Sequence, residues 1–391
     1  MTVASSTALD SPQKKRSGVL SSDLKENLTG YIFIFPAVFL IALFGLFPIG
    51  YAFYMSLRRW RVRDRGFIGL DNYEKALGDW NGAGLFLLGF VLLVGAYMLW
   101  DRYFDQDTRK GLFPKVLCLS IGGAGLWSIQ SGWGRMIIDG DDRFLNSLPI
   151  TFYYALGTVP VQIGISLVLA YFLFQKIRGQ EFFRMIFFLP YVTPVIATAF
   201  VFRNIFSPRE TSMSNNVLDW LGLEPQRWLF EAAPVTQLLF GWEVEGFWAG
   251  PSLALVSIIM FGVWTFVGFN TVIFLAGLGN IPRPLYEAAE IDGANQWELF
   301  RYITIPLLSP VTYYLSLVGF IGTFKAFNHI FIMQQPAAQG TVSTMSVSIF
   351  NTFYKANQFG YAASQAILLL VIILFLTFVQ TRLFGDKVFY G

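Results

Sequence analysis

The 391-residue chain holds one cysteine, Cys118, and one histidine, His329. A disulfide, a Cys/His zinc site and a Cys–His nucleophilic pair each need a further residue of these kinds, so the chain builds none of them by itself. Nor is there a GxxxxGK[ST] phosphate loop, and 28 basic against 25 acidic residues give no field that favours nucleic acid. What remains is the chemistry of shape and local charge. It is densest in Leu285-Tyr286-Glu287-Ala288-Ala289-Glu290-Ile291-Asp292-Gly293-Ala294. Pro282 suits a helix start, because its missing N–H would be unpaired there anyway. Ala288 and Ala289 leave a low-profile face, while Glu287 and Glu290 offer carboxylates to a partner's Arg or Lys. Gly293 can take positive φ and end the helix, so that Gln296 to Tyr302 begin a second one at an angle. Such a rigid element is suited to docking, and a motor pressing on it would tilt the attached helices. The plainer alternative is an amphipathic connector.

The elements that must hold this segment are membrane spans. Of all residues 54% are apolar, 18% aromatic and only 14% charged, with a mean hydropathy of +0.52, which makes a soluble globular domain improbable. Runs without Asp, Glu, Lys or Arg, read against the roughly 20 apolar residues a span needs, fall at Leu28 to Leu57, Trp80 to Trp100, Val116 to Gly134, Phe144 to Gln175, Met185 to Phe202, Gly246 to Pro282, Tyr302 to Phe324 and Ala356 to Thr381. A further uncharged run, Ala326 to Tyr354, turns polar in its later half and reads as a loop there. The expectation is an all-α polytopic membrane protein of about eight spans. Both termini are expected in the cytoplasm, along with the segments from Asp101 to Lys115, Lys176 to Arg184 and Ile281 to Arg301, as the positive-inside rule favours. Arg58, Arg59, Arg61, Arg63 and Arg65 object, since they fall on the outer side with only Asp64, Asp71 and Glu74 in partial balance; the orientation of that segment is left open.

The Glu287 segment, continued by Phe300, Ile303, Ile305 and Pro306, resembles the cytoplasmic EAA loop of ABC importer permeases, with Ile305 in place of that pattern's Leu. Ile281-Pro282, Tyr286 and Asp292-Gly293-Ala294 are similar to its sugar-transporter, MalF/UgpA-like branch, whose members are binding-protein-dependent inner membrane components. Phe67-Ile68-Gly69-Leu70-Asp71-Asn72-Tyr73, Phe187-Phe188-Leu189-Pro190-Tyr191-Val192-Thr193-Pro194 and Phe359-Gly360-Tyr361-Ala362-Ala363-Ser364 follow in the family's order. The resemblance covers about 30 to 75 and 144 to 385 and implies a six-helix (MetI-like) permease core. It divides the chain into a cytoplasmic tail 1–28, a first helix and outer loop 29–75, an inserted transmembrane hairpin 76–143 and the core 144–391, with the coupling loop at 279–308. The insertion departs from the family pattern. It reads as a peripheral hairpin of unassigned role, in which Gly122-Gly123-Ala124-Gly125 would let another helix pack closely.

The resemblance further implies a non-catalytic subunit of a sugar importer in a bacterial or archaeal cytoplasmic (inner) membrane. Its partners would be a second, homologous permease, an ATPase dimer that binds ATP and Mg, and an extracytoplasmic solute-binding protein, with no cofactor in this chain. ATPase coupling falls to Glu287, Ala288, Ala289, Asp292, Gly293 and Ala294. Sugar-contacting positions carry over onto Gly262, Thr265, Phe266 and Phe269, and onto Gly319 and Thr323, although two of the family's polar positions are glycine here. Aromatic rings beside small residues suit the C–H face of a sugar, with Thr265, Asn270 and Thr323 for its hydroxyls. Lys325, alone in its apolar run, reads as snorkelling to the outer interface near His329. Pro190, Pro194, Pro306 and Pro310 mark bending points. Trp220, Trp228, Trp242 and Trp248, with Glu224, Glu231, Glu243 and Glu245, form an outer docking surface or an interfacial belt. The competing class, an ion-coupled secondary transporter, would place acidic residues inside spans, and no charge-free run contains one.

Overall fold

A computed structural model describes residues 19–104, 112–175, 178–242, 244 and 248–385. The tail 1–18, the middle of the turn after Asp101, and Glu243 and Glu245 lie outside the described residues. The chain divides into two units, Met1–Tyr54 and Met55–Gly391. The first holds all but the last two residues of an apolar helix, α1 (Asn27–Ser56), with a π turn at Ala42–Leu46. Aromatic side chains one turn apart stack along it, as Phe35 does on Phe39.

The second unit opens with a short antiparallel hairpin, β1 (Arg58–Trp60) and β2 (Asp64–Phe67). Across it Arg58 pairs with Asp64 at 2.9 Å, so one of the five clustered arginines is neutralised locally. Then come α2 (Asp71–Leu77), α3 (Trp80–Phe104), α4 (Leu112–Asp139), α5 (Asp142–Phe174), the bent pair α6 (Gln180–Val192) and α7 (Val195–Ile205), and α8 (Leu253–Gly279). After α8 follow α9 (Arg283–Ile291), the bent pair α10 (Gln296–Leu307) and α11 (Ser309–Phe324), α12 (Asn328–Met333), α13 (Met345–Phe350) and α14 (Phe359–Phe384). Among the described residues five helices are long and apolar enough to cross a membrane, or seven if each bent pair is one span. The pairs bend by 95° at Thr193-Pro194 and by 61° at Leu308. Pro190, Pro194, Pro306 and Pro310 stand at these breaks, where a ring without an N–H ends one hydrogen-bond ladder and permits another to start.

The run Val116 to Gly134 is helical throughout as part of α4, but α4 is not among those five helices. Its glycines, Ser128, Gln130 and Ser131 lower its apolarity and also let it lie against α3. Gly82 and Gly89 on α3 face Gly132 and Gly125 on α4, both pairs seven residues apart. A Cβ added at Gly89 would stand 2.7 Å from the Gly125 carbonyl oxygen, and one at Gly132 the same distance from that of Gly82. Gly122 and Gly123 have open space around them, so of the glycine string singled out in the sequence only Gly125 makes the close approach. The hairpin is not peripheral in packing terms. Phe86, Ile129, Trp133 and Met136 share a buried cluster with Phe144, Leu145, Phe324 and Leu369 of the later helices.

The later half of the Ala326 to Tyr354 run is not a loop. It forms a 3-10 turn at Pro336–Ala338, a helical turn at Gln339–Val342, then α13 and a π turn at Asn351–Lys355. Buried Val342, Met345 and Val347 anchor it, and the Met345 N–H donates to Thr151 Oγ1 of α5 at 2.9 Å.

Two sequence fragments nearly 300 residues apart meet in one joint. Asn72 Nδ2 donates to the carbonyls of Ser56 and Arg58 at 2.7 and 3.1 Å, and Ser364 Oγ donates to the Asn72 carbonyl at 3.4 Å. The Tyr361 hydroxyl donates to Asp141 Oδ2 at 2.6 Å, while Asp141 Oδ1 caps the start of α5. Lys75 lies over the Tyr361 ring and donates to Gln358 Oε1. Burial lowers the Lys75 pKa from its usual value, and the nearby Asp141 carboxylate opposes that shift. Gly360 makes this fit possible, because a Cβ there would collide with the Arg58 carbonyl oxygen and press on Met55 O and Trp60 N. Gly360→Ala is therefore expected to lower the melting temperature of the purified protein by about 5 °C or more. Gly340→Ala, in open space, serves as the control; equal melting of the two variants would sink this assignment.

Candidate functional site

The segment around Glu287 is built as two short helices fixed at an angle. Pro282 immediately precedes α9, and Pro284 lies in its first turn, where no intrahelical donor is lost. The helix ends in a Schellman arrangement: Gly293 N–H donates to Glu290 O at 3.1 Å and Ala294 N–H to Ala289 O at 2.9 Å, with Gly293 at φ +88°. Two residues on, Asn295 and Glu298 form a reciprocal capping box that starts α10. The turn is thus closed by hydrogen bonds on both sides.

Two anchors tie it to the bundle. Tyr286 and Thr304 share a hydroxyl–hydroxyl hydrogen bond of 3.0 Å, and Tyr286 packs against buried Ile281, Leu308 and Phe274. Tyr171, near the end of α5, lies with its ring centroid 4.6 Å from that of Phe300, and its hydroxyl donates to Gln296. Glu287, Ala288, Glu290, Asp292 and Gly293 are exposed, with Ala289 and Ala294 half-buried. Around them Ile291 is 86% exposed, Tyr302 74% and Trp297 68%. An anionic helix ringed by uncovered apolar side chains and rigidly joined to three spans has the form of a docking surface.

The second set of predicted residues divides. Gly262 and Gly319 both abut α5: a Cβ at Gly262 would lie 2.8 Å from the Tyr154 hydroxyl, and one at Gly319 would lie 3.1 Å from Val159. They serve as close-approach points that bring α8 and α11 onto α5. Thr265 Oγ1 donates to the Phe261 carbonyl and Thr323 Oγ1 to that of Phe320, so both hydroxyls are engaged within their own helices. Phe266 and Phe269 instead meet Tyr191 beside the break of the α6/α7 pair. Tyr191 stacks on Phe269 at 4.4 Å and lies 5.9 Å from Phe266, and the exposed faces of Tyr191 and Phe266 give this cluster an open side. Asn270, one turn below Phe266, is buried with its Nδ2 unpartnered, as is Gln162 Oε1 on the facing helix. Lys325 is exposed at the end of α11. Of the outer-loop tryptophans, Trp220 is uncovered, whereas Trp228 donates to Asn215 Oδ1 and packs on Phe206.

Sequence reasoning assigned no role to three residues that hold these helices together. Tyr191 was legible as an aromatic beside Pro190. Tyr171 carries no local signal. The lone His329 is bound to Tyr154 at 2.7 Å in a buried pair that joins α12 to α5, a partnership no spacing reveals.

The model of the family "Binding-protein-dependent transport system inner membrane component" matches residues 162–388. Among curated proteins, the arabinooligosaccharides transport system permease protein AraP of Halalkalibacterium halodurans is 31% identical over 302 residues, covering 77% of this chain and 85% of its own length. The lactose transport system permease protein LacF of Rhizobium radiobacter is 31% identical over 310 residues, covering 77% and 93%. Among solved structures, a bacterial ABC transporter involved in the import of the acidic polysaccharide alginate superposes on 93% of this chain and 99% of its own with a TM-score of 0.61 at 17% identity, which speaks to the fold. Sequence match, helical architecture and the joined Glu287–Thr304 element agree: the chain belongs to the binding-protein-dependent transport system inner membrane components, the multi-pass permease subunits of ABC importers.

Proposed function

We propose that this permease moves a sugar or sugar-like solute, an oligosaccharide, glycoside or polyol, across the inner membrane. It does so together with a second, homologous permease, and an extracytoplasmic binding protein delivers the solute. Energy enters from a separate pair of ATPase subunits, which carry ATP and Mg and dock on Glu287 to Ile303. The single observation that carries this reading is the stiffness of the α9–α10 element. Its Schellman turn and capping box leave few soft dihedrals, Tyr286–Thr304 ties α9 to α10, and Tyr171–Phe300 hands their displacement to α5. The names of AraP and LacF support a carbohydrate solute. So does the Tyr191–Phe266–Phe269 cluster, whose rings offer stacking faces beside buried amides.

The test is purification of the protein through a tag at Gly391 from its native membrane, followed by mass identification of whatever accompanies it. An ATPase and a second permease are expected, with ATP hydrolysis stimulated by binding protein loaded with a neutral oligosaccharide. Recovery of the chain alone, moving solute on an ion gradient, would replace this reading with a secondary transporter.

A further inference from the structure

The β1–β2 hairpin carries a charge that the fold around it leaves unbalanced. Arg58 to Arg65 hold five arginines and one aspartate, and that Asp64 is taken by Arg58. Arg59, Arg61, Arg63 and Arg65 are exposed. Among the described residues none of the four forms an ion pair, not even with Asp71 and Glu74, which are exposed on the neighbouring α2. Like charges this dense usually mark a loose, solvated segment. Here the backbone is fixed instead. The Ile68 N–H donates to the Leu57 carbonyl at the base and the Gly66 N–H to Asp64 Oδ1 near the tip, both at 2.9 Å, while Asn72 and Gly360 seat β1 on α2 and α14. A cationic surface already held in shape loses little freedom on meeting a partner.

Helix α14 fixes which end of the bundle this is. The hairpin packs on Gly360 in the first turn of α14, whereas Gln380 and Thr381 near its other end bond to Ser316 and Tyr313 at the start of α11, just beyond α10. Roughly 30 Å of helix, at 1.5 Å per residue, therefore separates the hairpin from the α9–α10 element, and α14 is long and apolar enough to cross a membrane. With α9–α10 meeting the ATPases in the cytoplasm, as proposed above, the arginines stand on the extracytoplasmic side. Lipid does not account for them there, because the anionic cytoplasmic leaflet and the positive-inside bias both draw arginines near spans the other way. A protein partner does, since the family is a binding-protein-dependent one. Arginine is enriched at protein interfaces, its planar fork pairs with carboxylates, and opposite charge on the partner steers the encounter.

We propose that the β1–β2 hairpin is a docking surface for an acidic face of the extracytoplasmic binding protein, with Arg59, Arg61, Arg63 and Arg65 meeting its carboxylates; the inference rests on the cytoplasmic placement of α9–α10. The probe is benzoylphenylalanine in place of Val62, which stands between Arg61 and Arg63 and is 79% exposed, and separately in place of Ile291 on α9, each in the native membrane. Irradiation is expected to join position 62 to the binding protein that stimulates ATP hydrolysis by the purified complex, and position 291 to an ATPase subunit. Arg61→Glu combined with Arg63→Glu should raise the binding-protein concentration for half-maximal stimulation about tenfold or more, while saturating binding protein restores the maximal rate. In the wild type that concentration should climb between about 50 and about 300 mM salt, as screening of exposed charges requires, and in the reversed variant most of this dependence should disappear. Arg61→Gln with Arg63→Gln, expected to fall between the two, keeps the test standing where the reversed variant fails to assemble. A lipid adduct, an adduct to the second permease or no adduct at position 62 would overturn the proposal, as would an unchanged concentration requirement. An ATPase adduct at position 291 without a binding-protein adduct at position 62 refutes the docking surface alone, whereas failure at position 291 counts against the coupling reading.

Discussion

Gly268→Ala is expected to remove transport and most of the folded protein together. Position 268 faces α6, and a Cβ there would overlap the Phe187 carbonyl carbon and oxygen and stand 3.0 Å from the Phe188 nitrogen. All three are backbone atoms, so no side-chain rotation relieves the clash, and α6 would have to withdraw from α8 along its length. That withdrawal carries Tyr191 off Phe269 and loosens the 95° break. Helix propensity alone predicts the opposite sign, since alanine is favoured over glycine by about 1 kcal/mol in a helix interior. Gly279→Ala, at the end of the same helix with nothing within 4 Å, isolates that term and should be silent or slightly stabilising. Size-exclusion recovery and melting temperature of the two variants decide the matter; a Gly268→Ala protein as stable and active as wild type would mean that α6 does not seat on α8 as described.

The second large effect belongs to the turn between α9 and α10, and here the protein should stay folded while its function goes. Gly293 sits at φ +88° in open space, so a substitution acts through the backbone alone. A β-branched residue is expected to cost about 1–3 kcal/mol there, enough to unseat the Schellman turn and change the angle between α9 and α10. Gly293→Val should therefore lower transport at least about tenfold, the factor that 1.4 kcal/mol represents. Gly293→Asn should retain much of it, because Asn visits left-handed φ more readily. Glu287→Arg tests the charge independently, since reversal on an exposed helix leaves packing intact but repels a basic partner surface. Loss of the co-purified ATPase is the expected pattern for both variants, with unchanged melting for Glu287→Arg and a fall of a few degrees for Gly293→Val. Normal transport by both would reduce the segment to a simple connector.

Much of this was written locally. Apolar runs free of charge located the five long apolar helices and the two bent pairs, because a backbone in hydrocarbon must satisfy itself within one helix; the remaining run, Val116 to Gly134, is helical but not among them. The Glu287–Ala294 string gave its own helix start and stop through Pro282 and Gly293, whose backbone limits need no distant partner. Prolines marked the two breaks for the same reason. The tertiary structure alone decided how far each break bends, and which glycines touch. Gly82, Gly89, Gly125 and Gly132 form the hairpin contact while Gly122 and Gly123 do not: a step of about 100° per residue turns Gly123 away from α3, and Gly122, on nearly the same face as Gly125, has nothing within 4 Å. It also decided that Gly262 and Gly319 are seats for α5 and that the Asp71–Tyr73 and Gly360–Ser364 fragments close one joint. A helix crossing is set by two surfaces at once, and one sequence window carries only one of them.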